Sequence, residues 1–263
     1  MTALSRSLRY LLLQVRNADD PMRQQEVHCF ARAFDCDVSR IDVFDLLSGV
    51  PSLEYLSHFD VVVLGGSGDY SVAEGGPWLP AALATMQELF DISKPTFASC
   101  WGFQAMAKAL GGEVVTDMRR AELGAIRIEL TQAGKRDPVF GQLEGAFIAS
   151  MGHQDIVEHL PPNAILLASS DTVENQAFCF ADKPIYCTQF HPELDRQSFL
   201  QRVAAYPQYV YKIAGMSLED FARERCQETP VAATILLRFL EHCFGEPETL
   251  SRDAEPGEPA SDR

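Results

Sequence analysis

Three near-continuous apolar runs, LRYLLLQV at 8–15, FDVVVLGG at 59–66 and KPTFASC at 94–100, constrain this chain more than any other feature. A strand with one wet face alternates apolar and polar residues. A strand without alternation must be covered on both faces, as in parallel sheets sandwiched by helices. The segments between these runs carry helical spacing at 22–35 and at 78–91, the latter starting behind Pro77, with a further strand signal, DVSRIDV, at 37–43. WGFQAMAKALGG continues the third run directly into a helix that stops at Gly111 and Gly112. This alternation predicts an α/β fold with a mostly parallel central sheet flanked by helices.

The second half is richer in strands. GAIRIELT (124–131), GAFIAS (145–150), AILLASS (164–170), NQAFCFA (175–181) and PIYCTQF (184–190) are short runs, and the last three read as a meander at one edge of the sheet. Helical patterns return at 195–206, 217–226 and 230–244. With no repeat or flexible linker before the end, residues 1–245 are expected to form one domain. Residues 246–263, EPETLSRDAEPGEPASDR, hold too few apolar side chains to offset the entropy of ordering, so an acidic disordered tail is expected there.

The formal net charge is −15; the tail's six acids and two bases account for four of those charges, so the remainder is acidic as well. Such a surface repels phosphate backbones and argues against a nucleic-acid partner. No apolar run reaches the length of a membrane span, and the one at the N-terminus is too short for a signal peptide, so no membrane association is expected. Seven cysteines with no C-x-x-C pair point to a reduced, cytoplasmic chain without disulfides or a zinc site, and no metal or cofactor is expected.

Among those cysteines, Cys100 differs. It lies where a strand must turn sharply into a helix, with Ala98 two residues before it and Gly102 two after, the small-x-nucleophile-x-small pattern of a nucleophile elbow. A sulfur there meets the free N–H groups of a helix N-terminus, which favour a thiolate. Cys29, Cys179, Cys187 and Cys243 lie on apolar faces and read as packing residues. A thiolate nucleophile needs an acid/base partner and a group that orients it. Of the six histidines, His191 emerges at the end of the strand PIYCTQF, with Glu193 two residues later; alone, H-P-E is as easily a surface turn. Gly65-Gly66-Ser67-Gly68 after the strand FDVVVL offers backbone donors for an oxyanion, or forms a simple turn, and no phosphate-loop pattern is present there.

In combination, GGSGD (65–69), SCWGFQAMAKALGG (99–112), MGHQD (151–155) and QFHPE (189–193) resemble the class I glutamine amidotransferases, in particular the amidotransferase domain of GMP synthases and its stand-alone relatives. ELGAIRIELT (122–131) and LLRFLEHCF (236–244) extend the resemblance over most of residues 8–244. It implies a flavodoxin-like architecture and a catalytic triad of Cys100, His191 and Glu193, with Cys100 attacking the side-chain amide of glutamine. It further implies an oxyanion hole at the N–H groups of Gly66 and Trp101. Gln104, Ser150, Met151, Gly152 and His153 would hold the substrate, His153 and Asp155 in a supporting role, with a purely structural role for these two as the alternative. Ala98 where many relatives have glycine, Trp101, and GGSGD rather than glycine-glycine-proline depart from the common pattern. The chain carries no S-G-G-x-D-S pyrophosphatase loop, so a synthetase partner in trans is expected to consume the ammonia. The same triad also suits a γ-glutamyl peptidase, whose leaving amine is larger than ammonia. Residues 201–229 read as a helical insert before the last helix, expected to cover the active-site rim or to present a partner surface.

Overall fold

The computed structural model describes Ser5 and residues 7–245; the acidic stretch 246–263 lies outside the described residues. Among the described residues, eleven strands and seven principal helices occur in the order β1 (Tyr10–Gln14), α1 (Met22–Ala33), β2 (Ile41–Asp45), α2 (Leu53–Ser57), β3 (Val61–Leu64), α3 (Leu79–Asp91), β4 (Thr96–Ser99), α4 (Trp101–Ala109), β5 (Glu113–Thr116), β6 (Glu122–Leu130), β7 (Ala146–His153), β8 (Asp155–His159), β9 (Ala164–Ser169), β10 (Ala177–Phe180), β11 (Lys183–Thr188), α5 (Arg196–Ala205), α6 (Leu218–Glu224) and α7 (Ile235–Phe244). The main sheet runs β2-β1-β3-β4-β11-β10-β9-β6-β7. Strands β2, β1, β3, β4 and β11 are mutually parallel, and β10, β9, β6 and β7 continue antiparallel beyond them. This is the mostly parallel α/β sheet that the apolar runs predict.

The absence of alternation in β1 has a direct cause. Tyr10 and Leu12 pack into a core with Phe30 and Phe34 from α1 and its following turn, and with Phe239 and Leu240 of α7. Leu11 and Leu13 point the other way, into a core with Met86 of α3 and Phe103 of α4. All four strand residues are buried, so each lies in one of two helix-covered layers.

Several boundaries differ from the sequence expectation. Asp37 caps a short 3-10 turn at Val38–Arg40, its side chain accepting from Ser39 N–H, so β2 starts only at Ile41. The meander β9-β10-β11 is present but lies inside the sheet, because β6 and β7 extend it past β9. Strands β5 and β8 form a separate two-stranded antiparallel sheet that the sequence reading does not include. After α5, a short helical stretch at Pro207–Tyr209 runs into a π-helical turn at Val210–Ala214, closed by Gly215 at φ 66°. Phe199, Val203, Val210 and Phe221 form a third apolar cluster beside Cys29 of α1, which docks the 201–229 segment onto the body. No helix among the described residues is long and apolar enough to cross a membrane.

Candidate active site

The parallel strands β3, β4 and β11 deliver the sequence-predicted residues to one place, the carboxyl ends of the strands, where open α/β sheets place their sites. Cys100 follows β4 directly and precedes α4, with φ 53° and ψ −105°. A positive φ at a non-glycine residue is strained, and the surroundings hold it: the Cys100 N–H donates to Thr188 O of β11 at 2.8 Å, and Gly102 N–H to Gly65 O at 3.1 Å. Gly102 is glycine for a steric reason, since a Cβ there would lie 2.5 Å from Leu64 Cβ. The elbow therefore brings β3 and α4 into backbone contact and turns the cysteine toward a cavity.

That cavity has a volume of about 420 Å³ and is lined by Cys100, His191, Gly66, Trp101 and Gln104, among others. His191 is placed by its own N–H, which donates to Ser150 O of β7 at 2.9 Å. Its Nδ1 donates to Glu193 Oε1 at 2.7 Å, and the carboxylate is fully buried. Burial alone would lower the imidazole pKa, but the negative charge of Glu193 and that of Cys100 outweigh it and raise it to about 9. Burial pushes the Glu193 carboxyl up; His191 and Arg202 overcome that and hold it below its ordinary value. An acceptor on Nδ1 fixes the tautomer, leaving Nε2 for the sulfur side. The trio has the geometry of a nucleophile, an acid/base and an orienting carboxylate.

Gly66 sits against these groups: a Cβ there would lie 3.1 Å from His191 Cε1 and 3.8 Å from Cys100 Cβ. Trp101 is the first residue of α4, so its N–H has no intrahelical acceptor. Its indole Nε1 is buried without a partner among the described residues, as is Ser150 Oγ. Gly152 O lies 3.7 Å from the Cys100 sulfur. Met151 is fully buried in the apolar core, so only its backbone remains for a substrate.

Three sequence-predicted residues are occupied internally. Gln104 lines the cavity, but its Nε2 donates to Asp155 O at 2.9 Å and Gln189 Oε1 at 3.1 Å. His153 is buried between Asp155 O and Glu122 Oε2, each 3.0 Å away. Asp155 fastens the loop after the glycines: its Oδ2 accepts from Ser71 Oγ at 2.6 Å, and its Oδ1 from Thr116 Oγ1 at 2.6 Å. The structural role is thus the one the contacts of His153 and Asp155 describe.

Other residues reach the site from the 201–229 insert and from elsewhere in the chain. Tyr206, Tyr209 and Lys212, from the segment after α5, line the cavity opposite the cysteine. The Tyr209 hydroxyl donates to Gly68 O at 3.0 Å, which ties that segment to the glycine loop. Arg16 and Arg202 also line the cavity, each in ion pairs. Only sequence-distant contacts place them there.

A family model described as glutamine amidotransferase class-I matches residues 27–204. The chain is 31% identical over 186 residues to the GMP synthase [glutamine-hydrolyzing] of Streptomyces coelicolor, covering 71% of this chain and 33% of that protein. It is 30% identical over 144 residues to the protein of the same name from Clostridium novyi, covering 53% of this chain and 27% of that one. The chain thus spans only about a third or less of the length of these curated relatives. Among solved structures, a glutamine amidotransferase from Thermotoga maritima superposes with TM-score 0.67 at 24% identity, over 90% of this chain and 97% of that one. One from Methylobacillus flagellatus gives TM-score 0.65 at 17% identity, over 90% and 95% of the two chains. These two share the fold.

Proposed function

The chain belongs to the class I glutamine amidotransferase family, and from that membership we propose that it hydrolyses the side-chain amide of glutamine through a Cys100 thioester. The observation that carries this reading is the Cys100 elbow facing an imidazole whose Nδ1 is held 2.7 Å from a buried carboxylate. The thiolate attacks the amide carbon, and the developing oxyanion is met by the N–H groups of Gly66 and Trp101. His191 gives its proton to the departing nitrogen, so ammonia leaves and a glutamyl thioester remains. His191 then takes a proton from water, the resulting hydroxide attacks the thioester, and glutamate is released with the cysteine restored. Backbone groups at Ser150–Gly152 and the indole N–H of Trp101 are the polar groups assigned to holding the amino-acid end.

The ammonia acceptor is proposed to be supplied by a synthetase in trans. The relatives are named GMP synthases, and this chain matches a third or less of their length. A second reading, γ-glutamyl hydrolysis with a larger leaving amine, is favoured by the cavity. At about 420 Å³, roofed by Tyr206, Tyr209 and Lys212, it lies in the size range of sites for ligands larger than one amino acid. One experiment separates the two. Purified protein is incubated with glutamine and with a panel of γ-glutamyl amides, and ammonia, released amine and glutamate are quantified. Glutamine turnover exceeding every other amide supports the first reading. Preference for a substituted amide supports the second, and no turnover of any substrate, with Cys100 unlabelled by a glutamine-like electrophile, overturns both.

A further inference from the structure

Behind the triad lies a row of charges that the hydrolytic scheme does not use. Arg16, just after β1, and Glu26 of α1 have fully buried side chains, and that of Arg202 on α5 is 9% exposed. Arg16 donates twice to Glu26, from Nε to Oε2 and from Nη2 to Oε1, both at 3.1 Å. Glu26 Oε1 lies 3.9 Å from Arg202 Nη2, and Arg202 Nη1 lies 3.5 Å from Glu193 Oε1. Charge alternates in sign from Arg16 through Glu26, Arg202 and Glu193 to His191. Gln25 Oε1 accepts from Nε and Nη2 of Arg202 at 3.2 and 3.0 Å, which turns the guanidinium inward; an arginine so placed would ordinarily extend to solvent.

The row solves a problem that a buried Glu–His pair has. In a low-dielectric site a carboxylate and an imidazolium can lose both charges by moving one proton from nitrogen to oxygen, after which the glutamate no longer stabilises the charged imidazole. Here Glu193 Oε1 takes contacts from both His191 and Arg202, while Oε2 has no partner among the described residues. The other groups near Glu193 are Cys100 beyond the imidazole, and Cys29 and Arg32 on α1, the latter donating to the Glu193 main-chain oxygen at 3.3 Å. We propose that Arg202 is a positioning residue that keeps the Glu193 carboxylate charged and aimed at His191, itself held in place by Glu26 and Arg16. It extends the triad by a fourth member that acts through Glu193.

The role rests on the triad reading above, and the test separates the two. Arg202→Met and Arg202→Lys are made in the wild type and in Glu193→Ala, with glutamine kcat and KM measured for each. The pH dependence of Cys100 alkylation by iodoacetamide, which needs no substrate turnover, is followed alongside. In the wild-type background Arg202→Met is expected to lower kcat about tenfold with little change in KM, and Arg202→Lys to recover most of the loss. In Glu193→Ala the same substitution is expected to cost less than about twofold, because nothing remains to be positioned. Without Arg202 the Glu193 charge that supports the imidazolium beside the sulfur is weakened, so the midpoint of alkylation should rise in Arg202→Met and return with lysine. Equal kcat losses in both backgrounds, or an unmoved alkylation midpoint, would overturn the proposal. If Arg202→Met does not fold, Arg202→Gln, which removes the charge and keeps a polar side chain, decides: a raised alkylation midpoint supports the role and an unmoved one overturns it. Absence of glutamine turnover in the wild type would sink only the glutaminase reading, leaving the alkylation arm intact.

Discussion

At Cys100 two demands meet in one residue: the sulfur that can react and a backbone at φ 53°. Non-glycine residues held there cost about 1–3 kcal/mol. Cys100→Ala and Cys100→Gly should both abolish glutamine hydrolysis, and the glycine variant should be the more stable by about 1 kcal/mol, since only glycine sheds the strain. Thermal melts of the pair check this, and equal melting temperatures would remove strain from the account. His191 and Glu193 carry a pH signature. The folded pKa of His191 is raised from 6.5, so its contribution to stability is complete below pH 6.5 and fades as pH rises toward about 9. Glu193 is held below 4.5, so its contribution is present above that value and is lost as pH falls further. Urea unfolding of wild type and His191→Asn from pH 5 to 9 should show the wild-type advantage largest below pH 6.5 and shrinking above it. A gap that widens with pH would contradict the charged-pair arrangement.

Elements rather than residues explain why the glycine loop stays where it does. The loop after β3 is fixed from below by α4, through Gly102 N–H on Gly65 O, and from above by the segment after α5, through Tyr209 on Gly68 O. Tyr206 strengthens the upper tie, accepting from Arg16 Nη1 at 3.0 Å and donating to Asp20 Oδ2 at 2.6 Å. A net hydrogen bond contributes about 1 kcal/mol, which as a barrier is about fivefold in rate. Tyr209→Phe should therefore lower glutamine kcat about fivefold in single-turnover measurements and leave KM less affected, if its clamp keeps Gly66 N–H on the oxyanion. Unchanged kcat would mean that the loop holds itself. Gly102→Ala should act more severely, because the new methyl meets Leu64 Cβ at 2.5 Å and α4 must move.

For the whole molecule, the proposed glutaminase with a synthetase partner in trans predicts slow glutamine turnover when the chain is alone, because free ammonia would then serve no acceptor. If such a partner exists, fractionated cell extract should raise glutamine turnover. High turnover that no fraction changes would favour the γ-glutamyl hydrolase reading. The near-continuous apolar runs of β1, β3 and β4 were sufficient to determine a covered parallel sheet, because burial on both faces is written in every residue of such strands. The elbow at Cys100 and the strand-end position of His191 were legible for a similar reason, since small residues and a strand exit are local features. β5 and β8 were not, because four- and five-residue segments become strands only by pairing with each other across the intervening chain. Arg16, Glu26 and Arg202 were not, because charged residues read as surface until a partner far along the sequence neutralises them in the interior. The sequence alone determined the covered parallel strands and the sharp strand-to-helix turn at Cys100. The tertiary structure decided which charges lie behind the triad and what roofs the cavity, because those depend on contacts between segments that no local preference encodes.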